Sequence, residues 1–179
     1  MRLRHNKISS VVLLLPVLFF AGTASSLELR SAVFENGGGL PARYTGLEDD
    51  VSPGLNWSGA PQGTQSFVLI MDDPDAPMGT WVHWVIYDIP KSASGLEADV
   101  AKKSILDNGT RQGMNSFRET GYGGPYPPPG PAHRYFFKLY AVDIVLTLPP
   151  GAGKDAVLQA MQGHVLAEAR LTARFGRAK

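Results

Sequence analysis

Three short stretches gather the side chains that can do chemistry, each beside turn-forming residues. The first is Asp72-Asp73-Pro74-Asp75-Ala76-Pro77 and the second is Trp81-Val82-His83-Trp84. The third runs from Gly121-Tyr122-Gly123-Gly124-Pro125 on to His133-Arg134-Tyr135. A carboxylate beside a His can orient the ring as a general base. Imidazole N–H, Tyr O–H and the amides of a Gly-rich loop can instead hold an oxyanion. Each stretch alone has a plainer reading. Asp side chains cap backbone N–H groups in Pro-fixed turns, and a His flanked by Trp is commonly a hydrogen-bonded core residue.

Several chemistries are missing their signatures. The chain has no Cys, which excludes disulfides, thiolate metal sites and a Cys nucleophile. It has no Gly-x-Ser-x-Gly elbow and no phosphate loop ending in Gly-Lys-Ser/Thr. The Gly-Gly-Pro loop is no dinucleotide fingerprint, because Pro127-Pro128-Pro129 cannot open the helix that motif requires. Two His and Asp73 lack the spacing of a metal motif, so neither metal nor cofactor is expected.

The elements that must position these groups are mostly strands. Phe67 to Met71 is a continuous apolar run, as in a strand buried on both faces, and Val82 to Ile89 reads as a second. Tyr135 to Val142 is a third, rich in aromatics, and Leu27 to Ser31 alternates as a first short strand. If the strands opening at His83 and His133 flank the one ending at Asp73, the reactive groups meet at one sheet edge. Pro and Gly between the strands suggest an antiparallel protein. Leu158, Met161, Val165 and Ala169 recur at 3- and 4-residue steps, which predicts a covering helix over 155–169. A short strand over 171–175 follows. Residues 107–133 hold six Gly and five Pro in 27 positions and form a long loop. Phe117, Tyr122 and Tyr126 favour an ordered loop that packs on something.

Charge and the N-terminus bound the setting. The chain carries 17 Lys and Arg against 16 Asp and Glu, a net +1, which argues against nucleic-acid binding by bulk positive charge. Arg2, Arg4 and Lys7 precede the apolar run Val11 to Ala21, and small residues follow. This is the three-part pattern of a secretory signal peptide, cut after Ala24 or Ser26. Residues 1–24 are thus expected to be removed and 27–179 to form one domain. Losing three cations and no anion turns the +1 into −2. A periplasmic or secreted location is expected. The C-terminal Arg170, Arg174, Arg177 and Lys179 read as a solvated end, with peripheral membrane contact at most.

Taken together, the three stretches resemble the phosphatidylethanolamine-binding protein (PEBP) family, and its bacterial branch of Raf-kinase-inhibitor-like proteins most. Asp50-Val51-Ser52-Pro53, Leu55-Asn56-Trp57-Ser58 and Gly163-His164-Val165-Leu166-Ala167 support the resemblance. It implies a mainly β fold with a large antiparallel sheet packed on a smaller one, plus a C-terminal helix. It also implies an anion pocket made by Asp73, Pro77, His83, Gly123, Gly124, His133 and Tyr135. Asp75, Arg134, Trp81 and Pro125 would support it, and the tight turn would make Ala76–Pro77 cis. Tyr126 stands where the bacterial pattern often has Cys.

The expected function is a non-enzymatic binding protein for a small phosphorylated or anionic ligand. Two alternatives stay open: an inhibitor of a protease or kinase acting through loop 107–131, and a weak phosphate or acyl ester hydrolase. Asp73 either orients a His or Arg, or meets the amine of an ethanolamine head group.

Overall fold

The computed structural model describes residues 26–178. The expected signal peptide, residues 1–24, and the cut after Ala24 lie outside them. Strands β3 (Ser66–Asp73), β4 (Trp81–Pro90) and β7 (His133–Val142) form the middle of a five-stranded antiparallel sheet. Its order is β6-β4-β3-β7-β8, with β6 at Arg111–Gln112 and β8 at Val165–Phe175. A smaller sheet, β1-β2-β5, combines Glu28–Arg30, Leu55–Ser58 and Gly95–Leu96.

Burial explains the continuous apolar runs. Phe67, Leu69 and Met71 enter a core shared with Leu29, Leu55 and Trp57 of the smaller sheet. Val68 and Ile70 point the other way, into a second core with Val157 and Met161. Every residue of β3 is buried, so each of its faces needs apolar side chains. Full burial of one such side chain contributes roughly 2 kcal/mol.

The single α-helix of the described residues, α1 (Lys154–Ala160), covers the second core and is shorter than expected. The predicted helix over 155–169 ends at Ala160. Val165 and Ala169 belong instead to β8, an 11-residue strand rather than a short one over 171–175. Val165, Ala167, Ala169, Leu171 and Ala173 fit a period of two as well as a helical step, and ten paired positions along β7 decide for the strand. Gly163 at φ +79 reverses the chain between them.

Residues 107–133 are ordered by polar side chains rather than by regular structure. Gln112 Nε2 donates to the carbonyls of Ala101 and Lys103. Its Oε1 accepts the Trp84 indole N–H at 2.7 Å. Asn115 Oδ1 accepts the amides of Phe117 and Glu119 while Nδ2 donates to the Gly121 carbonyl. Tyr122, fully buried, donates its hydroxyl to the Tyr44 carbonyl.

Candidate functional site

β3 lies between β4 and β7, so the end of β3 brings Asp73 between the two His strands. His133, Tyr135 and Asp73 share a face by ordinary alternation, continuing Phe137 and Met71. His83 reaches that face by another route. Met71 pairs with Trp84, but Asp72 pairs with Val82, so His83 is an extra residue without a partner on β3. This is a β-bulge. A regular ladder would pair His83 with Asp72 and send its ring to the helix side. The bulge turns it toward Asp73 instead.

These groups surround a cavity of about 310 Å³. Asp73, His83, His133 and Tyr135 form its polar part, while Pro77, Met78, Trp81, Phe117, Tyr126 and Pro128 give it a mostly apolar wall. Gly123, Gly124 and Pro125 do not line it. Their work is behind the wall. Gly123 N donates to the His83 carbonyl at 2.9 Å, Gly124 N to Asp50 Oδ1 at 2.5 Å, and Gly121 N to the Gly113 carbonyl at 3.4 Å. These amides are therefore engaged inside the chain rather than offered to an oxyanion. A Cβ on Gly124 would sit 2.6 Å from Asp50 Oδ1 and 2.8 Å from Thr45 Cα, so close backbone packing is what requires Gly here.

His83 Nδ1 lies 2.6 Å from the Gly123 carbonyl, so this nitrogen carries the hydrogen and Nε2 is left as an acceptor in the neutral ring. Burial lowers the His83 pKa, which favours that neutral ring at pH 7. Its ring meets Phe117 and Tyr135 edge-on at 5.6 and 5.2 Å.

His133 differs. Its Nδ1 donates to Asp73 Oδ2 at 2.7 Å, and the other Asp73 oxygen accepts the Asp75 amide at 2.8 Å. Both Asp73 oxygens are thus occupied, and its side chain is 5% exposed. Of the two roles open to Asp73, orientation of a His is the one this geometry performs. His133 and Tyr135 both line the cavity, and their rings stack with centroids 6.5 Å apart. Burial, then the charges of Asp73 and Asp75, raise the Tyr135 pKa, so the phenol keeps its proton. Trp81 Nε1 in the wall is buried and lacks an acceptor among the described residues.

Asp75 stays outside the cavity. Its carboxylate takes the Arg134 guanidinium at 2.8 and 2.6 Å and the Arg134 amide at 2.9 Å, tying the 73–79 turn to the start of β7. The Arg134 side chain holds the Asp75 carboxyl down at about 2. The Ala76–Pro77 bond is trans, as is every described peptide bond. The turn closes through the Asp73–Asp75 contact and Gly79 at φ +98, with no cis bond required.

Three features in and around the site escaped sequence reasoning. Met78, 94% exposed at the rim, follows no pattern that marks it. Asp72 belongs to the acidic stretch yet faces the helix side, where it pairs with Lys154 at 2.6 Å and Lys138 at 3.1 Å. Arg177 is no solvated end: its guanidinium stacks 4.1 Å from the Tyr126 ring, and its carbonyl accepts the Gly130 amide. The end of the described chain therefore braces the rim. A larger hollow of about 540 Å³ lies between β1 and β8, but no His lines it.

A model of the phosphatidylethanolamine-binding protein family matches residues 30–176. A UPF0098 protein of Methanothermobacter thermautotrophicus is 48% identical over 151 residues, covering 84% of this chain and 99% of the relative. A second, from Aquifex aeolicus, is 48% identical over 162 residues, covering 89% and 94%. Among solved structures, a PEBP homologue from Chlamydia trachomatis superposes with a TM-score of 0.79 at 34% identity. It covers 86% of this chain and 99% of its own. Escherichia coli YbcL, described as a member of the mammalian PEBP family, gives 0.79 at 30% identity over 85% and 99%. The mainly β fold, its two antiparallel sheets and the match over residues 30–176 all agree: this chain belongs to the phosphatidylethanolamine-binding protein family.

Proposed function

We propose that this chain is an exported, non-enzymatic binding protein whose cavity takes a small anionic group, of the phosphate-ester type, joined to an apolar portion. One observation carries the reading: the buried Trp81 indole N–H has no partner among the described residues, and it shares one cavity with His83, His133 and Tyr135. A buried donor left unmatched costs roughly 1–3 kcal/mol, which a ligand oxygen would recover. Asp73 fixes the orientation of the His133 ring by accepting from Nδ1. His83 Nε2, an acceptor, suits the remaining proton of a phosphate monoester, whose second pKa is about 6. The apolar wall suits an alkyl or aryl group next to the anion. The lining contains no Ser, Thr, Cys or Lys, which favours binding over turnover. Export rests on the N-terminal pattern of Arg2 to Ser26.

Calorimetric titration with phosphoethanolamine and phenyl phosphate tests the reading, at about pH 5.5 and about pH 7.5, either side of the second phosphate pKa of about 6. Binding is expected to be tighter at the lower pH and tighter for the aryl ester. His133→Ala is expected to weaken both ligands about tenfold or more, as loss of a charge-assisted hydrogen bond would. Equal binding by wild type, His83→Ala and His133→Ala would remove the cavity from consideration. Sequencing the N-terminus of the chain recovered outside the cytoplasm checks export; residues 1–24 still present there would contradict cleavage.

A further inference from the structure

The charge of this chain is unevenly placed. Residues 27–132 carry 7 Lys and Arg against 13 Asp and Glu, whereas residues 133–179 carry 7 against 3. The basic part includes β7 and β8, a long antiparallel pair on one side of the large sheet. Helix α1 packs on β4 and on the second core, which includes Tyr140 and Val142 at the far end of β7, while Arg134, Arg170 and Arg174 stay exposed. The outward positions of β7 and β8 include Arg134, Phe136, Lys138, Arg170 and Arg174.

The pairing sets like charges against each other. Arg134 stands directly opposite Arg174, and Lys138 directly opposite Arg170. Such pairs destabilise a sheet. Three of the four cations converge on one ring: Arg170, Arg134 and Lys138 lie 4.9, 5.5 and 5.7 Å from the Phe136 centroid. Asp75 pairs with Arg134 and Asp72 with Lys138. Arg170 and Arg174 have no acidic partner among the described residues, and both are exposed. Two rows about 5 Å apart, with cations about 13 Å apart along each, make a flat array rather than a track.

We propose that this β7–β8 face docks on an anionic phospholipid surface. A bilayer presents phosphates in two dimensions, which a flat array of four cations matches better than a linear polymer does. An apolar tip accompanies the array, since the turn that Asp75 ties to Arg134 carries Met78, 94% exposed. A side chain of that kind suits the interface of a bilayer and has no use against a sulfated or phosphorylated chain. The four cations lie outside the cavity lining, with Met78 shared at the rim, and the proposal stands without the reading given above.

Vesicle co-sedimentation of the full chain tests it, with vesicles of phosphatidylcholine alone and of phosphatidylcholine mixed with phosphatidylglycerol. The wild type is expected to bind the mixed vesicles more tightly, and added salt to weaken that binding. Each cation near such a surface contributes roughly fivefold, so Arg170→Gln/Arg174→Gln is expected to bind the mixed vesicles about twenty-five-fold less tightly. All chains compared share residues 1–26, so the apolar N-terminal segment contributes equally. The double variant keeps its circular dichroism and its calorimetric response to phosphoethanolamine, whereas His133→Ala keeps vesicle binding. Equal mixed-vesicle binding by wild type and double variant would overturn the proposal. So would a wild type that is retained by immobilised heparin through Arg170 and Arg174 yet ignores both kinds of vesicle.

Discussion

At the scale of single residues, the two pocket imidazoles have different hydrogen-bond partners, a backbone carbonyl for His83 and a carboxylate for His133. Burial holds the His83 pKa below its usual 6.5, so the unfolded chain accepts a proton that the folded chain refuses. The sign follows: stability is full above 6.5 and falls as the pH drops from there toward the folded value. His83→Asn keeps a donor for the Gly123 carbonyl but cannot titrate. In urea unfolding, the stability advantage of wild type over this variant is expected to shrink between about pH 7 and about pH 5.5. Asp73 acts through geometry. Asp73→Ala removes the acceptor of both His133 Nδ1 and the Asp75 amide, a loss of about 2–4 kcal/mol by the same measurement. The residue types of this site were legible in the sequence, because Asp73, His83, His133 and Tyr135 stand beside turns in unusual company. The role of Asp73 was not, since occupation of both its oxygens is a matter of three-dimensional distance.

At the scale of elements, packing accounts for features that composition had tied to ligand binding. Gly124 is fixed by Thr45 and Asp50, so Gly124→Ala is expected to lower stability by about 1–3 kcal/mol with no ligand present. Chemical denaturation of the ligand-free chain checks this, and an unchanged midpoint would point back to a ligand-facing Gly. Asp72→Ala leaves Lys138 and Lys154 facing an uncharged, buried position and releases the first turn of α1 from the sheet. The cost is expected to be about 2–3 kcal/mol, reduced from that of a fully buried pair because both Lys side chains keep some solvent contact. β3, β4 and β7 were readable because a strand buried on both faces needs an unbroken apolar run. The end of α1 was not, because Met161, Val165 and Ala169 satisfy two periods at once and only β7 chooses between them. Gln112 and Asn115, which hold the long loop in place, look like any polar loop residues until their partners are known.

At the scale of the whole molecule, one sheet separates two cores of unequal extent. The larger is enclosed by strands of both sheets, and the smaller is closed by one seven-residue helix and the segment before it. Local opening follows the thinner cover. Native-state hydrogen exchange is expected to show the amides of β3, β4 and β7 opening only with global unfolding, and those of α1 opening at lower free energy. Uniform protection across both would contradict this division. Strand spacing pointed to an antiparallel sheet protein, and the family resemblance alone made the two-sheet architecture foreseeable. The unequal charge of the two halves of the chain was countable in the sequence, but its placement on a single face needed the register of β7 and β8.

The bulge in β4 makes the identity of the pocket a matter of counting. Removing one residue there, Val82 for instance, would restore an even ladder without changing any pocket side chain. Yet the imidazole of His83 would leave the cavity for the helix side, and the aperture would lose its acceptor. Inventories of pocket residues alone would score such a chain as intact. Homologues and grafted versions of this pocket are therefore best aligned on the spacing between Asp73 and Trp84, with its unpaired position, before any residue is matched.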